Sequence, residues 1–207
     1  MALTVIEYSE IRDELLTGDL VLMQGLNIDS EIIKVVEQSP WSHVAMIIRI
    51  RGIDPPLLWE STPLHFLEDK ILHAKKSGAR IVSLDDRLRI GRMKKLYKVF
   101  ALRRLKVRRT RFMMDSLRNY IENVHLLPYP TDWELVKSYL KGKLLGERES
   151  SSSLFCAELI AETYMHMGLL AFDHPPNWYS PKDFSSEVQL PFLKKARLQK
   201  EIVIVDE

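Results

Sequence analysis

Residues 150–168 read SSSSLFCAELIAETYMHMG and hold Cys156, the one cysteine of the chain. The serine run offers caps. Leu159, Ile160, Thr163, Tyr164 and Met167 recur at offsets of three and four on one face, and Gly168 marks a stop. This spacing predicts a helix whose first turn carries the thiol. The positive end of a helix dipole favours thiolate over thiol, and thiolate is the form that attacks carbonyls. Lone cysteines on an apolar stripe are more often plain packing. A nucleophile therefore needs a histidine, and a group to orient it, from elsewhere in the chain.

The 207 residues, 46% of them apolar, suit a single domain spanning 1–207 with a core that needs no staples. No stretch approaches the roughly 20 apolar residues of a membrane span. The opening MALTVIEYSEIRDELL lacks the basic and apolar regions of a secretory signal. A single cysteine excludes an internal disulfide framework and fits a reducing compartment, so the expected location is cytoplasmic. The formal net charge of +2 conceals a segregation: the run from Arg87 to Arg111 carries twelve Lys/Arg and no acid. Such a run can contact nucleic acid, anionic headgroups or an acidic partner. Apolar residues threaded through LYKVFALRRL at 96–105 instead mark most of it as the polar dressing of regular structure. The run also lacks the interleaved aromatics of a base-stacking platform, so no nucleic acid partner is expected.

Along the chain, TGDLVLMQG at 17–25 reads as a strand entered by a Gly-Asp turn, and IDSEIIKVVEQSP at 28–40 as a short helix capped by Asp29 or Ser30. WSHVAMIIRI at 41–50 is apolar on both faces and rich in branched residues, which predicts a central, covered strand. LLWEST at 57–62 returns beside it; GARIVSL and LYKVFALRRL supply further strands. RRTRFMMDSLRNYIENV at 108–124 sets Met113, Leu117, Tyr120, Ile121 and Val124 at helical spacing, and DWELVKSYLKG at 132–142 reads as a shorter helix. GERESSSS at 146–153 reads as an exposed loop, DHPPNWYSPKDF at 173–184 as irregular, and RLQKEIVIVDE as a final strand. Strands first, helices second and a closing strand give an α+β domain, an antiparallel sheet or partial barrel packed against helices.

Six histidines compete for the role of base. His166 lies ten residues along the cysteine helix, out of reach of the thiol; His65 and His73 fall in a polar segment of helical character, and His125 and His174 in loops. His43 opens the most apolar strand, where a ring is held rigidly beside a core. If the hairpin turns about Arg51-Gly52, His43 falls opposite Glu60, with Cβ atoms about 5 Å apart. A carboxylate there accepts one ring N–H, fixes the tautomer and stabilises the imidazolium.

In order, GDLVL, WSHVAMII, LLWEST, LPYP and SSSLFCAELIAETY resemble the circularly permuted papain-fold hydrolases, nearest the YiiX/YebB-like branch of the NlpC-type superfamily, where the histidine precedes the cysteine. The resemblance runs from Gly18 to about Phe184 and takes in SPKDF. It implies Cys156 as nucleophile, His43 as base and then acid, and Glu60 as the orienting member. It also matches Tyr129 of LPYP to an aromatic position lining the site. Phe155 and Leu159 flank the cysteine differently from the N-C-E-H-F motif of acyltransferases akin to lecithin:retinol acyltransferase.

These residues imply acyl transfer through a thioester, on peptide, amide or lipid-ester substrates. No cofactor is called for. No H-E-x-x-H, second cysteine or phosphate loop is present, so no metal is expected either. Two rivals stand beside this reading. One is a lipid acyltransferase or thioesterase anchored to an anionic surface through the basic run; the other is a papain-like binding module without turnover.

Overall fold

The structure is a computed structural model that describes residues 4–26, 39–131, 134–135, 137–138, 141–147 and 154–205. The runs that read as covered strands are covered. β2 (Leu20–Gly25), β3 (His43–Ile48), β4 (Leu57–Thr62) and β7 (Gly78–Ser83) are buried at nearly every position. With β1 (Thr4–Glu7), β8 (Tyr97–Arg103) and β11 (Ile202–Val205) they form a seven-stranded sheet ordered β1-β11-β8-β2-β3-β4-β7. All its pairings are antiparallel except β1 beside β11. The sheet stays open, with β1 and β7 at its edges, and is not a closed barrel. Two short antiparallel pairs lie outside it, β5 (Glu68–Asp69) with β6 (Ala74–Lys75), and β9 (Leu105–Lys106) with β10 (Arg197–Leu198).

Alternation along the strands divides the core in two, as a period of two requires. Leu20, Leu22, Val44, Met46, Trp59 and Ile81 face one layer, formed by α3 (Arg111–Val124) and α4 (Cys156–His166). Val21, Met23, Ala45, Ile47, Leu58 and Val82 face the other, where α2 (Leu84–Met93) packs with Ile11 at the end of the short α1 (Tyr8–Ile11). Helices on both faces explain why β2 and β3 each carry a single polar residue, Gln24 and His43.

The helix read at 108–124 forms over 111–124 with Met113, Leu117, Tyr120 and Ile121 buried, and Thr110 caps it by accepting from the Met113 N–H at 3.3 Å. The cysteine helix also forms and ends before Gly168, but it is buried at every position from Cys156 to Met165 rather than along one stripe. The sheet covers one side of it, and α3 and the turn Pro176–Trp178 cover the rest. The segment holding His65 and His73 is not helical; it contains the β5–β6 hairpin, with His73 at a positive φ. The helix read at 28–40 and the serine run fall almost wholly outside the described residues, as does much of the one at 132–142.

One glycine is fixed by its surroundings. Gly78 has φ +85°, and a Cβ there would sit 2.2 Å from the Leu127 carbonyl oxygen and 2.8 Å from Pro128. That carbonyl also accepts the Ala79 N–H at 3.0 Å. Gly78→Ala is expected to destabilise by roughly 3 kcal/mol, since both the backbone conformation and the clash oppose it. Urea unfolding checks this; a loss under about 1 kcal/mol would mean that the 127–128 backbone yields freely.

Candidate functional site

The site starts from β3 and β4. Pairing of Met46 with Trp59, Ile47 with Leu58 and Ile48 with Leu57 brings Glu60 beside Ala45 when continued, two residues from the register expected. A slip of two keeps every side chain on its own face, so His43 and Glu60 still meet, now diagonally. His43 Nε2 lies 3.2 Å from Glu60 Oε2, and both side chains are buried.

Glu60 is completely enclosed, which by itself would cost several kcal/mol for an unpaired carboxylate. Two arginines offset it. Arg80, its cross-strand partner on β7, donates from Nε at 3.1 Å and Nη2 at 3.0 Å to Oε1. Arg87, from the second turn of α2, donates to the same oxygen through Nη2. Oε2 is thereby kept for His43. Burial alone would push the Glu60 carboxyl up; the Arg87 and Arg80 charges and the His43 hydrogen bond outweigh it and hold it far below the usual carboxylate range. An ionised carboxylate only accepts, so Nε2 of His43 carries the proton and Nδ1 is left for another partner.

From α4 the Cys156 side chain acts on the same ring and favours its charged form. Cys156 is the first residue of α4, only 4% exposed. Its helix is capped by Phe155 rather than by a serine: the Glu158 carboxylate accepts the Phe155 N–H at 3.4 Å. The approach to the helix is tied down on both sides, by Ser61 Oγ donating to the Leu154 carbonyl and by the Leu154 N–H donating to the Pro128 carbonyl at 3.2 Å. Burial lowers the affinity of His43 for a proton, but Tyr97, Cys156 and Glu60 reverse this and raise its pKa well above the ordinary value. Of the three residues singled out in the sequence, His43 and Glu60 are hydrogen-bonded, and Cys156 is among the groups that act on the His43 ring.

Sequence reasoning missed Arg80, Arg87 and Tyr97. The Tyr97 ring stands 6.1 Å from the His43 ring, centroid to centroid, whereas Tyr129 packs half-buried against the core cluster that holds Cys156. The other histidines serve elsewhere. His125 is buried 2.7 Å from Asp69, His166 stacks on Tyr120, His174 stacks on Trp178, and His65 and His73 are exposed. The basic run is not one solvated surface. Arg87 and Arg103 are buried, Arg103 on the carbonyls of Phe184, Leu198 and Gln199; Arg109 pairs with Asp19, Arg104 with Glu14 and Arg89 with Asp86.

No protein-family model and no curated protein matches the chain. Among solved structures it is similar to the crystal structure of metalloprotein yiiX (DUF1105) from Escherichia coli O157:H7, with a TM-score of 0.50 and 15% identity. The match covers 73% of this chain and 66% of that one, so this chain spans just under two thirds of the yiiX structure. The fold is YiiX-like, as the order of motifs in the sequence implies. Among the described residues no three His, Cys, Asp or Glu side chains cluster as a metal centre would need. Glu60, already bound by two arginines, is ill suited as a ligand to a cation. Among the described residues, no helix is long and apolar enough to cross a membrane.

Proposed function

We propose that the protein is a cysteine-dependent hydrolase that cleaves amide or ester bonds through a thioester, its triad formed by Cys156, His43 and Glu60. The observation that carries this reading is an imidazole 3.2 Å from a carboxylate clamped by two arginines, with the Cys156 side chain acting on the same ring. His43 Nδ1 takes the thiol proton, and Cys156 Sγ attacks the substrate carbonyl. The tetrahedral oxyanion is met by the backbone N–H of Cys156 at the helix start, where the dipole is positive. Collapse breaks the bond to the amine or alcohol, which leaves with the proton from His43. Water, deprotonated by the same ring, then releases the acid and restores the thiol. Glu60 holds the ring and its Nε2 proton throughout.

The reading extends to one papain-like domain in permuted order over 1–207, working in the cytoplasm on small peptides, amides or lipid esters, with Tyr129 lining the site. Anchoring through the basic run is the weaker rival, because Arg87, Arg103 and Arg109 are spent on internal partners. The small exposure of Cys156 favours the other rival, a binding module without turnover.

Alkylation of Cys156 by iodoacetamide separates them. A thiolate–imidazolium pair alkylates at nearly constant rate from pH 6 to 8. A plain thiol gains about tenfold per unit as it ionises towards its ordinary value of about 8.5. A tenfold rise per unit, or no reaction, would remove the proposed nucleophile.

A further inference from the structure

Resting on the triad reading, we infer that Arg80 and Arg87 are positioning residues that make the proton on His43 conditional on a negative charge at Cys156. Both guanidinium groups are completely buried and share one oxygen of Glu60. Two fixed cations against one carboxylate leave this enclosed cluster with a surplus of one positive charge before His43 takes a proton. Like charges nearby disfavour an added cation, as opposite charges favour one. Glu60 supplies the compensating attraction through Oε2, but its charge is already spoken for twice.

The groups around His43 come from separate elements, and few of them carry charge. Glu60 faces it from β4, Tyr97 from β8 and Cys156 from α4, while its neighbour on β2 is the apolar Met23. Arg80 and Arg87 reach it only through the shared carboxylate. The one anion free to balance an imidazolium is the Cys156 sulfur. While sulfur is anionic, the imidazolium is held. Once sulfur has bonded the substrate carbon and lost its charge, the uncompensated surplus drives His43 to release its proton to the leaving group. The arginines thereby turn one ring from a base into an acid at the step where the leaving group needs a proton, and back to a neutral base for the attack of water.

Arg87 carries a second sign of this role. Its Nε and Nη1 have no hydrogen-bond partner although the side chain is buried. A guanidinium placed for hydrogen bonding alone would use more than one of its donors. Here the charge is kept and the donors are left idle.

The test is a histidine NMR titration of the whole chain, with the His43 resonance assigned by His43→Gln. It is run on free protein and on protein alkylated at Cys156 with iodoacetamide, which makes the sulfur neutral. In the wild type, alkylation is expected to lower the His43 midpoint by about one unit or more. Arg87→Gln keeps an N–H for Glu60 but loses the charge, and should raise the midpoint of the alkylated form by about one unit; Arg87→Lys should restore it. No change on alkylation in the wild type would overturn the ion pair, and the proposed function with it. A wild-type change combined with an Arg87→Gln midpoint within about 0.3 units of wild type would overturn the arginine role alone. Arg80→Gln serves in place of Arg87→Gln if that variant fails to fold. If neither glutamine variant folds, the charges are needed to bury Glu60 at all, and the tuning role is rejected.

Discussion

Cys156→Ala is expected to abolish turnover, lowering the rate on any ester or amide substrate by about 10⁴-fold or more, to the level left by binding and the oxyanion donor alone. The fold should survive. The substitution removes one sulfur from a helix buried on all sides, a small cavity costing roughly 1 kcal/mol, and alanine is the better helix former. A panel of 4-nitrophenyl esters and peptide amides, assayed beside urea unfolding, gives both readouts. Undiminished turnover would rule out the sulfur. Loss of turnover together with loss of folding would trace the effect to packing.

Glu60→Gln is expected to be the costliest single change in stability at the site. The sequence assigns Glu60 an orienting part only; the structure adds that its charge is what allows two arginines to be buried. Glutamine leaves both cations uncompensated, and breaking a buried ion pair in this way costs about 3–5 kcal/mol. In protein that remains folded, the rate should fall less than in His43→Ala, because Glu60 moves no proton. Urea unfolding and steady-state rates on the same preparations check the order. A stable Glu60→Gln protein would show that the arginines find other anions.

The same residue gives the acid limb of stability its sign. Its folded pKa lies far below the unfolded value of about 4.3, so its contribution is complete at neutral pH. That contribution fades as pH falls below about 4. Glu60→Gln should flatten this limb. His43 acts oppositely: its pKa is raised, so its contribution is complete below about 6.5 and is lost as pH rises through the folded value.

What was legible from sequence divides along physical lines. β3, β4 and α4 announce themselves because burial on both sides leaves largely apolar runs, and His43, Glu60 and Cys156 of the candidate site lie within those runs. The exact register was not legible, since a slip of two leaves the pattern of faces unchanged. Helix α2 went unread for a reason found inside the site. Leu84, Arg87, Leu88 and Gly91 hold its buried positions, so an arginine occupies a core place and breaks the apolar spacing. Its start was written plainly enough, with Ser83 accepting the Asp86 N–H at 3.2 Å ahead of two acids. Arg80 is hidden likewise, a charged residue in a strand buried at every position. Charge counted along the chain treats such residues as surface; only the fold reveals them as counterions.

Trp59 adds a mechanical consequence. Its indole N–H donates to Thr163 Oγ1 at 3.1 Å, and Thr163 in turn donates to the Leu159 carbonyl at 2.6 Å. Trp59 adjoins Glu60 on β4, and Thr163 lies two turns beyond Cys156 on α4. Glu60 and Cys156 are therefore bolted to one chassis. Between them stands the imidazole, whose two side-chain torsions set how the ring meets both elements while Nε2 stays against Glu60.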